Sequence, residues 1–132
     1  LDHVELVDYL KEIQDLYPVS PAIKRTEEVV DQFRWQLQVL QDPNISDQAK
    51  IRLASRIRPV QHSLKKLKNS MPESKFLMFY KNVIEGKSMQ SLALVYGCDP
   101  KTVKRAKNRA YKQLAVMLYS DQVITEMIIV GW

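Results

Sequence analysis

Cysteine is nearly missing from this chain, with Cys98 alone among 132 residues. A single thiol excludes an internal disulfide framework and fits a reducing compartment. At the Gly97-Cys98 turn it reads as a structural thiol rather than a redox or metal group. Glycine is scarce too, with three residues, and no Gly-rich phosphate loop is present. No apolar run approaches the ~18–20 residues of a bilayer span, and no signal-peptide pattern is visible. The expected setting is therefore cytoplasmic, with no membrane partner. No nucleophile elbow or Cys-His pair exists. His3 and His62 are remote from Cys98 and from each other, so no zinc-ligand spacing arises. No catalytic group, metal or cofactor is expected, and the chain is read as a non-enzyme. The absence that says most is of acids. None occurs from Pro100 to Gln113, a stretch with six Lys/Arg.

What is present is a helix-forming composition. Apolar residues make up 45% and charged residues 27%, as in a globular chain able to bury a core. Leu, Lys, Gln, Glu, Ala, Met and Arg dominate, so the expected fold class is all-α. The net charge of +5 hides a strong asymmetry. Residues 1–47 hold ten acids against four bases, whereas 48–113 hold sixteen bases against three acids. Residues 114–132 add two acids and no base. A polyanion partner is expected for the basic centre only.

Helices follow from apolar periodicity and punctuation. His3–Tyr17 reads as a first helix, with Leu6, Tyr9, Leu10, Ile13, Leu16 and Tyr17 on one face, stopped by Pro18. Ser20-Pro21 caps a second helix reaching about Gln41, striped by Val30, Phe33, Leu37 and Leu40. On it, Glu27, Glu28 and Asp31 read as serving the macrodipole rather than catalysis. Trp35 lies off the stripe and reads as an interface anchor. Ser46 or Asp47 caps a long third helix ending near Ser70. Its seam of Leu53, Ile57, Val60, Leu64, Leu67 and Met71 is heptad-like. That seam fits either an intramolecular bundle, the favoured reading, or a homodimer through the 46–71 helix. Pro59 should kink this helix or remove a hydrogen bond.

Glu73–Glu85 is a further helix, with Gly86 as a C-cap. Ser88 then caps a short helix that runs into Gly97-Cys98-Asp99-Pro100. Counting Met89 as one, Ala93, Gly97 and Val103 fall at five, nine and fifteen. A helix-turn-helix needs a small, a turn and a β-branched residue at those places. From Pro100 the next helix places Val103, Ala106, Ala110, Leu114 and Met117 on one side. Lys101, Lys104, Arg105, Asn108 and Lys112 fall opposite, with Arg109 nearby. Lys101, Arg105 and Asn108 are candidates for base edges, because Arg and Lys donate to guanine and Asn pairs with adenine. Lys104, Arg109, Lys112, Lys87 and Gln90 are candidates for phosphate, and Thr102 joins the DNA-binding set. Residues 114–119 are apolar nearly all round and read as a buried helix end, with a dimer or polymerase contact as the alternative. The tail after Ser120 is either a short helix packing back on the domain, the favoured reading, or a strand.

Ser74–Leu118, and within it Gly86–Ala93 and Tyr96–Leu114, resembles region 4 of bacterial sigma factors. It is also similar to the small phage- and prophage-encoded late-transcription regulators of the ArpU and RinA type. The resemblance implies a helical arm, 1–71, for self-association or polymerase contact. A sigma-like DNA-binding domain would follow at 72–120, with a tail at 121–132. It further implies a phage-derived activator of late genes in a bacterial host, near the nucleoid, recognising double-stranded DNA and acting through host RNA polymerase. No segment resembles the promoter-melting region 2, so the chain would not open a promoter alone. Two other classes share these features: a small terminase subunit for DNA packaging, and a protein-interaction adaptor built on a helix-turn-helix.

Overall fold

The computed structural model describes residues 2–5, 20–129 and 131–132. Of the expected first helix, His3–Glu5 are helical, with the Asp2 carboxylate accepting from the Glu5 amide at 2.8 Å. The remainder of that expectation, including the stop at Pro18, lies outside the described residues. Six helices follow in order: α1 (Pro21–Leu40), α2 (Asp47–Ser70), α3 (Glu73–Val83), α4 (Met89–Tyr96), α5 (Pro100–Leu118) and α6 (Ser120–Ile129). No strand occurs among the described residues, so the chain is all-α there.

The helix starts are local chemistry. Ser20, Ser46, Ser88 and Asp99 each accept a hydrogen bond from an orphan backbone N–H of the first turn. Proline follows the cap at Pro21 and Pro100, where a missing N–H costs nothing. Helix α2 continues through Pro59, whose ring leaves the carbonyl one turn earlier without its usual donor. Beyond α3, Gly86 adopts φ +75°. The Glu85 and Lys87 amides donate to the carbonyls of Tyr80 and Lys81 at 3.2 and 2.9 Å.

One apolar cluster binds α1, α2, α3 and α5. Val30, Phe33, Ile57, Leu64, Leu67, Phe79, Tyr111 and Leu114 belong to it. The packing therefore runs without a break across residue 71, the expected domain boundary. It also settles the heptad-like seam. Ile57, Val60, Leu64, Leu67 and Met71 are buried against the chain's own helices and Leu53 is half-buried, so the seam packs within the bundle, as favoured. A helix seam pairs with whichever apolar face is nearest, and here α1, α3 and α5 provide it.

A second, smaller cluster of Met78, Leu92, Ala93, Val103 and Ala106 joins α3, α4 and the first half of α5. A third holds Ala22, Ala115 and Val123, which packs α6 back onto α1 and α5. The tail is thus a helix, as favoured. Leu114 and Ala115 are fully buried, while Val116 on the same turn is exposed. Trp35 is 67% exposed, off the α1 stripe as expected.

The macrodipole expectation needs correction. Glu27, Glu28 and Asp31 lie beyond the first turn of α1, where the field of a helix end has faded. The acid that serves this N-terminus is Glu126 of α6. Its carboxylate accepts from the Ser20 hydroxyl and, at 3.0 Å, from the Ala22 amide, and Glu126 is buried. Arg25 reinforces the same junction, stacking 4.1 Å from the Tyr119 ring centroid.

Candidate nucleic-acid interface

The turn between α4 and α5 is set by Gly97, which adopts φ +64° and ψ +40°. The amides of Gly97 and Cys98 donate back to the carbonyls of Leu94 and Ala93 at 3.4 and 2.9 Å. This is the paired bonding that ends a helix through a left-handed residue. Asp99 then accepts from the Lys101 amide at 2.8 Å and starts α5. The Cβ of an alanine at Gly97 would meet nothing within 4 Å, so the only penalty is the backbone conformation. Gly97→Ala is expected to cost about 1–2 kcal/mol, read from a urea unfolding curve. A stability change near zero would mean that the turn relaxes to another geometry.

Helix α5 is gripped along its whole length. Val103 and Ala106 sit in the second cluster, and Ala110, Tyr111 and Leu114 in the first. Near its C-terminal end, the Gln113 side chain accepts from the Ser70 hydroxyl of α2 at 3.0 Å. Small residues at Ala106 and Ala110 let α3, α4 and α1 approach closely. The opposite face is left to solvent. Lys101, Lys104, Arg105, Asn108, Arg109 and Lys112 are all exposed, and Thr102 is half-buried. Lys101, Lys104, Arg105, Asn108 and Lys112 recur at helical spacing, so they form one stripe about 16 Å long.

Lys87 and Gln90 are exposed at the start of α4. Lys87 lies 3.8 Å from the Glu85 carboxylate, an exposed pair worth little in itself. The stripe on α5 has no such partner among the described residues. Its cations can therefore approach a polyanion without first leaving an ion pair.

Tyr111 was not among the residues expected inside. It is 4% exposed, with its ring edge-on to Phe79 at 5.4 Å between centroids. Burial holds its phenol well above the usual tyrosine range, and the charges of Asp31 and Glu27 push the same way. A signal was available, because Val103, Ala110, Tyr111 and Leu114 make a broader helical face than the strict stripe. Lys107, also outside the expected set, is half-buried beside it.

Among the described residues no group of three or more His, Cys, Asp or Glu side chains converges on a metal-sized site. No helix among them is long and apolar enough to cross a membrane. No protein-family model, curated protein or solved structure matches the chain.

Proposed function

We propose that the chain is a sequence-specific DNA-binding transcription regulator that docks α5 in the major groove. One observation carries this reading: an acid-free cationic stripe, exposed from Lys101 to Lys112, on a helix whose opposite face is buried throughout. A solvated helix normally mixes charge signs to gain i,i+4 pairs, and this one does not. The left-handed turn at Gly97 and the N-cap Asp99 between α4 and α5 support reading the pair as a helix-turn-helix. Arg105, Lys101 and Asn108 would read base edges. Lys104, Arg109, Lys112, Lys87 and Gln90 would hold phosphates, with Thr102 at the entry of the helix. The reaction contains no catalytic step. The output would pass through RNA polymerase, in the manner of the sigma-like phage regulators that Ser74–Leu118 resembles.

Base readers and phosphate contacts respond differently to truncation. Arg105→Ala is expected to cost about 1–3 kcal/mol at the preferred site and to relax preference there. Competition binding with duplexes altered one base pair at a time reads this directly. An unchanged preference removes Arg105 from the reading group. Lys112→Ala should instead weaken all duplexes alike. The slope of log K against log salt should fall by about 0.9, the release from one phosphate. A slope that does not move refutes that contact.

A further inference from the structure

A groove of about 860 Å³ opens between α1, α2 and α3, on residues that take no part in the α5 stripe. Leu37, Leu77 and Tyr80 line it half-buried, with Phe33 and Phe76 buried beneath. Its α2 wall carries Arg58, His62, Lys65 and Lys68, all exposed. These four follow steps of four, three and three residues, so they form one stripe on the helix, about 15 Å long. No acid lines the groove. Helix α2 has no acid after Asp47, so Arg58, Lys65 and Lys68 have no i,i+4 counter-charge on their own helix.

We propose that this groove binds an acidic amphipathic α-helix of a partner protein. Its apolar residues, spaced i, i+3 or i+4, i+7, would lie on the Leu37–Leu77–Tyr80 floor. Its Asp and Glu side chains would face Arg58, Lys65 and Lys68. Three features favour that occupant. The stripe runs for about three helical turns, longer than the roughly two turns that three such anchors span. The cations stand on one wall beside an apolar floor, which matches a helix acidic on one side and apolar on the other. The groove is a partly open cleft and not an enclosed cavity, which suits a helix better than an acyl chain. The site is separate from α5, so the proposal does not depend on DNA binding.

The test is fluorescence anisotropy on the full chain, without DNA. The probe is a labelled 16-residue helical peptide with leucines at i, i+4, i+7 and i+11 and glutamates flanking them. A control peptide carries lysine at every glutamate. The acidic peptide should bind at least about tenfold tighter than the control. Lys65→Glu with Lys68→Glu should remove that preference, with the circular dichroism spectrum unchanged. Leu77→Ser should weaken binding without altering the charge preference, which separates the floor from the wall. Equal binding of both peptides, or none at about 100 μM, overturns the proposal. The chain's own stretch 6–17 carries the same chemistry in sequence, with Asp8, Glu12 and Asp15 among Tyr9, Leu10 and Ile13. If the acidic peptide binds Glu12→Lys/Asp15→Lys but not the unaltered chain, that stretch is the occupant and a partner helix is not.

Discussion

Replacing Lys104 and Arg105 together by glutamate is expected to lower affinity for duplex DNA by about a hundredfold at ~0.1 M salt. Both side chains are exposed on adjacent positions of α5, and neither is in an ion pair among the described residues. Losing the Lys104 phosphate contact forfeits the release of close to one counterion, roughly a tenfold change in affinity at this salt, and losing the Arg105 base-edge contact costs about 1–3 kcal/mol more at the preferred site. Reversal adds repulsion to that loss. The buried face of α5 is untouched, because Val103 and Ala106 still fill the second cluster. The unfolding midpoint should therefore stay within the range of surface changes, about ±0.5 kcal/mol. Binding measured by anisotropy and stability measured by urea unfolding separate the two effects. Full affinity in the double variant would move the DNA face off α5.

Phe79→Ala is expected to cost about 3–5 kcal/mol, a large share of a stability that is typically about 5–15 kcal/mol. Phe79 is fully buried, edge-on to Tyr111 of α5 and 6.4 Å from the ring centroid of Phe76. Removing it leaves a cavity where α3 meets α5, beside the Tyr111 ring that packs edge-on to it. The Leu67 and Leu114 side chains of the same cluster are already packed and cannot collapse fully into the space. Urea unfolding should give a lower midpoint at an unchanged slope. A loss below about 1 kcal/mol would mean that this cluster is not the mechanical support of α5.

The legible parts of the fold were those written locally. Ser20-Pro21, Ser46, Ser88 and Asp99-Pro100 fix four helix starts by side chains that reach only two or three residues ahead. Gly97 marks its turn because few other residues adopt that backbone conformation without strain. The cationic stripe was legible as well, since helical spacing alone places Lys101, Arg105, Asn108 and Lys112 together.

What depends on distant partners was not legible. Glu126 lies more than a hundred residues from the amide it caps, and nothing beside it in sequence announces that role. The tail rich in Val and Ile could have been a strand, and burial of Val123 against Ala22 and Ala115 decides for a helix. The α2 seam had the right period for a dimer, and only the proximity of α1, α3 and α5 gives it to the bundle. The apolar groove beside that seam needs three helices at once. Periodicity within any one of them does not reveal it.

Enrichment of bound duplexes from a random pool by the unaltered full chain, followed by titration at ~50 and ~200 mM salt, tests the DNA reading most directly. That reading predicts one enriched site, bound at least about a thousandfold tighter than random duplex. It also predicts a loss of roughly a hundredfold in affinity between the two salts, as phosphate contacts by Lys87, Lys104, Arg109 and Lys112 require. No binding to any duplex at ~50 mM salt, where phosphate contacts are strongest, would contradict it.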